Sequence, residues 1–238
     1  MNTQSLAIAT ISWARDAHEA TVLTSSLTQL STFGLPLFIT DAGSDVAYVA
    51  GLQGLPNAMV MGPVKGLWLQ TKSSIDAAAA TGAEWIFYAE PDKLHFFTQH
   101  LRQMLAQIEV DDRNGIYLAS RSAAAFATFP AFQQMTETTI NRCCAELMGK
   151  ELDYIYGPFL MNAKLVPYLQ SMPDGLGWGW RPYTFMLAHR LGLNIKGFSG
   201  DFFCPEDQRQ DHQTERIYRM KQMAQNMEGL AAGAAAVL

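Results

Sequence analysis

The chain has 238 residues, 49% of them apolar and 16% charged, a balance that supports a sizeable core and excludes a disordered chain. Its net charge of −5 and pI near 5.5 provide no general attraction for nucleic acid or an anionic membrane, so an anionic ligand would need local cations or a metal ion. Three cysteines, Cys143, Cys144 and Cys204, lack metal-ligand spacing and read as free thiols of a reducing, cytoplasmic setting.

Residues 1–16 lack the basic and apolar regions of a secretory signal. No apolar run nears the roughly 20 residues that span a bilayer. In chain order, residues 6–11 predict a strand, 17–30 a helix, and 37–40 a second strand closed by the turn signal Asp41-Ala42-Gly43-Ser44. Residues 58–61 predict a third strand ending at Gly62-Pro63, and 67–81 an alanine-rich helix stopped by Gly82. Residues 84–89 form an aromatic fourth strand, 94–108 return to helical spacing, and 115–120 give a fifth strand. This alternation predicts βαβ units and a mostly parallel central sheet flanked by helices.

The second half reads differently. Residues 132–148 predict a helix, 153–156 a short extended piece, and 164–169 a short helix. A Gly/Trp/Pro-rich loop over 173–182 follows, then a helix at 183–191, a strand at 194–198 and a polar helix at 210–227. That last helix admits packing on the domain, pairing with a second copy to make a homo-oligomer, or contact with a partner. With no linker and no repeat, one domain over 1–230 is expected, with halves 1–121 and 122–230 and a flexible tail at 231–238.

Ligands of open parallel sheets bind beyond the carboxyl ends of the strands. After the second strand, Asp41 with Gly43 and Ser44 suits a nucleobase or ribose, or is simply a turn capping the next helix. After the fourth, Glu90-Pro91-Asp92 places two acids where they could share Mg²⁺ or Mn²⁺ with substrate phosphates, or cap the helix that follows. Lys65 and Gly66 after the third strand, and Arg121 after the fifth, could hold phosphate or an acidic acceptor. Arg121 could equally pair with Asp111-Asp112. Trp178 and Trp180 in Gly177-Trp178-Gly179-Trp180 offer flat faces to a sugar or pack in a core. His212, beside Asp211, could fold over a metal or lie on the surface, while His18, His95, His100 and His189 read as helix-face residues.

Other chemistries are excluded by their missing motifs. Residues 10–15 hold no Gly-x-Gly-x-x-Gly, and the chain has no P-loop, no Gly-x-Ser-x-Gly elbow and no His-Glu-x-x-His helix.

From about residue 6 to 198 the chain resembles the GT-A nucleotide-sugar glycosyltransferases, in particular the family 2-like bacterial members. The similarity lies in Phe38-Ile39-Thr40-Asp41-Ala42-Gly43-Ser44, in Lys65-Gly66 before the alanine-rich helix, in Trp85-Ile86-Phe87-Tyr88-Ala89-Glu90-Pro91-Asp92, in Tyr156-Gly157-Pro158-Phe159 and in Gly177-Trp178-Gly179. The resemblance implies a single Rossmann-like α/β domain that transfers a sugar from a nucleotide-diphosphate sugar with Mg²⁺ or Mn²⁺. Asp41, Gly43, Ser44, Lys65, Gly66 and Arg121 would face the donor. Glu90 and Asp92, helped by His212, would hold the metal, and Gly157, Trp178, Gly179 and Trp180 the sugar or acceptor side. Glu90 stands where the family carries Asp, and Trp180-Arg181 where inverting members carry an acidic base. An arginine is no base at neutral pH, which leaves Asp174 or another carboxylate as the base, a retaining reaction, or a catalytically silent binding protein. A sugar nucleotidyltransferase would want a glycine-rich phosphate loop after the first strand, where Arg15 stands without glycine.

Overall fold

The computed structural model describes residues 6–109 and 111–238, apart from the side chain of residue 207. The reading of residues 1–5 as part of a segment without a secretory signal lies outside the described residues. In chain order the elements are β1 (Leu6–Ser12), α1 (Ala17–Ser31), β2 (Leu37–Asp41), α2 (Val46–Gln53), β3 (Ala58–Met61), α3 (Leu67–Ala79), β4 (Trp85–Ala89), α4 (Leu94–Gln99) and α5 (Leu101–Ala106). There follow β5 (Asn114–Arg121), α6 (Ala123–Phe126), α7 (Ala131–Met148), β6 (Phe159–Asn162), α8 (Val166–Leu169), α9 (Trp180–Arg190), β7 (Asn194–Gly200) and α10 (Gln213–Ala235). Among the described residues no helix is long and apolar enough to cross a membrane.

The backbone forms two compact units. One holds the described residues up to Asp111 together with Pro158–Pro167; the other holds Asp112–Gly157 and Tyr168–Leu238. The chain therefore does not divide at one cut near residue 121. It returns to the first unit through β6 before entering the second again.

In the first unit β1 pairs in parallel with β2 and β4, and β2 with β3. Every residue of β2 and β4 is buried, and all but Ile11 of β1, as expected of strands covered on both faces. The edge strand β3 is only half-covered. β6 adds antiparallel to β4, matching Tyr88 with Phe159 and Trp85 with Asn162. The apolar stripe of α3, including Trp68, Ile75 and Ala78, is buried and packs on β1 and β2. Helix starts follow local chemistry: Asp16 accepts from Glu19 N at 2.9 Å to cap α1, and Asp45 accepts from Ala47 N at 2.8 Å to cap α2.

In the second unit β5 and β7 run parallel, with an irregularity between Asn114 and Ile116. α10 packs on α9 and α7, and α7 ends at Gly149 in the left-handed conformation, φ 67°.

The structure departs from the sequence expectations at identifiable points. The helix expected over 94–108 is broken at His100, whose φ of −124° leaves helical geometry. The extended piece expected at 153–156 joins no strand, because side chains take its amides: Tyr154 N donates to Asn141 Oδ1 at 2.8 Å and Ile155 N to Asp153 Oδ1 at 3.3 Å. The loop expected over 173–182 is a 3-10 turn, Asp174–Gly179, running into α9. Pro182 is accommodated because first-turn amides have no partner within a helix. The C-terminal helix extends to Ala235 instead of stopping at 227, so most of the tail expected to be flexible is helical, with Gly233 buried. α2, α6 and β6 lie outside the elements that the sequence predicts.

Candidate functional site

The carboxyl ends of β1, β2, β3 and β4 converge in the first unit. Asp41, the last residue of β2, is buried. Its Oδ1 accepts from Gly43 N and Ser44 N, both at 2.7 Å, and its Oδ2 from Ser44 Oγ at 2.6 Å. Ser44 Oγ in turn accepts from Ala14 N at 2.8 Å, tying the β2 turn to the exit of β1. Asp41 thus builds its own turn, and Asp45 caps α2. The Gln70 amide sews the two exits together, donating to Ser12 O at 3.1 Å and Thr40 O at 3.2 Å.

Around this turn lie groups that the sequence did not flag. Ser12 Oγ and Tyr48 Oη are 2.6 Å apart. Burial raises the Tyr48 phenol above its ordinary pKa, with the Asp41 charge adding to the shift. Trp13 stands 56% exposed just past β1, with the Arg15 guanidinium 5.6 Å from its ring centre. No local motif marks these residues, because β-strand exits become neighbours only through sheet order.

The exit of β3 explains one glycine. Gly62 has φ 126°, and a Cβ there would lie 2.4 Å from Asp41 O, while Val64 N donates to that same oxygen at 2.9 Å. Only glycine allows this approach. Lys65 is exposed, and Gly66, φ 104°, precedes the first turn of α3 without a side-chain cap. Helix starts of this kind present unpaired amides to an anion.

At the exit of β4, Thr10 Oγ1 donates to Ala89 O at 2.7 Å. Glu90 is buried and the Asp92 side chain 45% exposed, paired with Lys93 Nζ at 2.9 Å. The helix-cap alternative for Asp92 is not realised: Lys93 occupies the cap position of α4, with no side-chain cap bond. Among the described residues no three His, Cys, Asp or Glu side chains gather as a metal-holding group. Two carboxylates at one strand exit nevertheless fit Mg²⁺ or Mn²⁺, which commonly take one or two protein carboxylates and complete their shell with phosphate and water.

The second unit corrects the expectation for Arg121. Its guanidinium is buried and bidentate on Asp153, Nε to Oδ2 at 2.6 Å and Nη2 to Oδ1 at 3.0 Å, with Nη2 also 2.6 Å from Glu137 Oε2. Rings of Phe129, Phe126 and Tyr156 lie 4.4, 4.6 and 5.4 Å from it. Burial disfavours its charge, but Glu137 and Asp153 outweigh that and raise its pKa. Burial likewise opposes ionisation of Asp153, and Arg121 overrides it, holding the carboxyl below its ordinary range. A guanidinium satisfied by two buried carboxylates is a structural clamp and is not presented to a donor phosphate. Its partners are Asp153 and Glu137 in place of the expected Asp111-Asp112.

Trp180 is 0% exposed, so it is core and offers no face to a sugar. Arg181 is buried too, with Nη2 donating to Tyr154 O at 3.3 Å, which removes it as a candidate catalytic group. Asp174 is exposed at the start of the 3-10 turn, and Trp178 is half-buried. Gly157 is buried with φ 137° and Gly179 is buried. His212 is exposed at the cap position of α10, and its neighbour Asp211 accepts from Phe132 N at 3.1 Å in the first turn of α7. Cys143, Cys144 and Cys204 form no disulfide, and burial with Cys143 alongside pushes the Cys144 thiol up to about 12.

No family model matches the chain, and no curated protein matches it in sequence. Solved structures do match in fold. Mannosyl-3-phosphoglycerate synthase from Rubrobacter xylanophilus is 11% identical with a TM-score of 0.67, covering 95% of this chain and 72% of that one. Glucosyl-3-phosphoglycerate synthase from Mycobacterium tuberculosis, bound to Mn²⁺, UDP-glucose and phosphoglyceric acid, is 11% identical with a TM-score of 0.64, covering 98% and 81%. The same enzyme with Mg²⁺ and UDP is 12% identical with a TM-score of 0.62, covering 98% and 80%. The chain has the α/β GT-A fold of these glycosyltransferases.

Proposed function

We propose that a protein with this fold and this set of strand exits is a glycosyltransferase that takes a sugar from a nucleotide-diphosphate donor with Mg²⁺ or Mn²⁺. The observation that carries this reading is the acid pair Glu90 and Asp92 at the exit of β4, one strand from β1, whose own exit is tied through Ser44 to the Asp41 turn. Asp41 fixes the Gly43–Ser44 backbone on which a nucleoside would rest. Lys65 and the first turn of α3 behind Gly66 would face the diphosphate. Glu90 and Asp92 would hold the cation, with Lys93 giving up its pairing to Asp92. When bound, the cation supplies neutralising charge to the diphosphate as it leaves. UDP, which the Mycobacterium tuberculosis enzyme binds with Mn²⁺ or Mg²⁺, is the first nucleotide to try.

Titration calorimetry of UDP with Mn²⁺ tests the assignment. Asp92→Ala is expected to weaken Mn²⁺-dependent binding by more than the roughly 10–100-fold that loss of an outer-shell partner of a metal ligand costs, and to leave the fold unchanged by circular dichroism. Equal affinity in the variant sinks the metal assignment. A second reading, a catalytically silent relative that binds nucleotide-sugars, is favoured by one observation: the position where the resemblance expects an acidic base carries Arg181, buried in the first turn of α9. Donor hydrolysis with UDP-, GDP- and ADP-sugars and Mn²⁺ separates the two. Turnover of any donor supports the enzyme, and nucleotide binding with silence throughout supports the relative.

A further inference from the structure

The geometry points to Tyr218 and Gln225 of α10 as positioning residues that hold Trp178 as a stacking surface for the apolar face of a pyranose ring. This rests on the reading of Trp178 as part of the sugar side. The chain around Trp178 is irregular: Gly177 takes φ 51° and ψ −122° inside the 3-10 turn. Two hydrogen bonds from α10 fix it. Trp178 N donates to Gln225 Oε1 at 3.2 Å, and the indole Nε1 donates to Tyr218 Oη at 2.7 Å.

Backbone contact makes this hold close. A Cβ on Gly179 would sit 2.2 Å from Gln225 O, and one on Gly229 would lie 1.9 Å from Gly179 O. One turn further, a Cβ on Gly233 would lie 2.9 Å from Tyr183 O. Residues 218, 225, 229 and 233 recur at helical spacing on one face of α10, so a continuous seam runs along the turn and into α9. The two glycines that face each other are what let the helix approach near enough for Gln225 and Tyr218 to reach Trp178.

The pairing also decides what Trp178 can offer a ligand. Tryptophan has one side-chain donor, and Tyr218 takes it. What the half-buried indole presents is its π-face, whose negative quadrupole attracts the weakly positive C–H groups on one side of a pyranose. Trp180, two residues on, is wholly buried, so Trp178 alone of this pair can serve.

The chain contains five tryptophans, so indole signals in ¹H–¹⁵N spectra of the full-length protein report on Trp178 once Trp178→Phe assigns it. Tyr218→Phe is expected to move the Trp178 indole proton upfield and speed its exchange, leaving the Trp68, Trp85 and Trp180 signals in place. Titration with methyl α-D-glucopyranoside and methyl α-D-mannopyranoside is expected to shift the Trp178 signal in the native protein, with glycerol as a polyol that cannot stack. Tyr218→Phe and Gln225→Leu should each weaken glycoside binding about fivefold, the worth of one hydrogen bond, while Gln225→Glu, which keeps an acceptor for Trp178 N, should restore it. An unmoved indole in Tyr218→Phe, or equal glycoside affinity in all variants, overturns the proposal. If the indole responds to Tyr218→Phe but to neither glycoside, the sugar surface fails while Mn²⁺-dependent UDP binding, measured separately, still stands or falls on Asp92.

Discussion

Removing Asp153 tests the account of the Arg121 clamp most directly. The Asp153 carboxylate accepts from Arg121 Nε at 2.6 Å, Arg121 Nη2 at 3.0 Å, Arg121 N at 3.1 Å, Asn141 Nδ2 at 3.1 Å and Ile155 N at 3.3 Å. Asp153→Ala strips all five and leaves a buried guanidinium facing Glu137 alone. Breaking a buried pair from one side costs about 3–5 kcal/mol, which for a chain of this size lowers the melting temperature by roughly 6–20 °C. Urea unfolding followed by circular dichroism reads the loss. Replacing the cluster whole, by Arg121→Met with Glu137→Leu and Asp153→Leu, is expected to recover much of it, since no unpaired charge then remains. The pH dependence has a definite sign. The folded Asp153 pKa lies below the ordinary aspartate value, so its contribution is complete above the unfolded pKa and is lost as pH falls through the folded one. The gap between native protein and Asp153→Asn should therefore be constant from neutral pH to the ordinary aspartate range and close only below it. A loss under about 1 kcal/mol, as an exposed pair would give, or a gap that closes between pH 7 and 5, refutes the clamp.

Two further outcomes follow from the same geometry. Gly62→Ala places a Cβ 2.4 Å from Asp41 O at φ 126°; it should cost about 1–3 kcal/mol in urea unfolding and weaken UDP binding more than Lys65→Ala does. Cys144, buried with its thiol pushed up to about 12, should stay unmodified by iodoacetamide in the native protein at pH 8, read by mass spectrometry, and react only on unfolding.

The strands and helices of the first unit were largely legible in the sequence, because buried parallel strands are short apolar runs and their helices carry apolar stripes. β3 matches its expected bounds, and β1, β2, β4, α1 and α3 differ only at their ends. β6 is a strand through its antiparallel pairing with β4, a distant partner that the pattern of Phe159–Asn162 does not disclose. The candidate donor side was legible in part. Asp41, Gly43 and Ser44 form one turn as a linear signal can suggest, whereas Ser12, Tyr48 and Gln70 reach it through sheet order and helix packing.

What the sequence determined by itself is the alternation of elements and the acids at the exit of β4, since these depend on local order and burial pattern, whereas the close approaches that require glycine at 62, 179 and 229 come from distant parts of the chain. Tertiary structure decided which polar side chains are spent on the protein itself. In the sequence Arg121 reads as a ligand cation, whereas in the fold Asp153 and Glu137, 32 and 16 residues away, take up its guanidinium. Trp178 and Trp180 look alike in sequence, but one is core and the other is held half-open by Tyr218, 40 residues on. Burial and partnership are properties of surroundings, and those surroundings are assembled from distant parts of the chain.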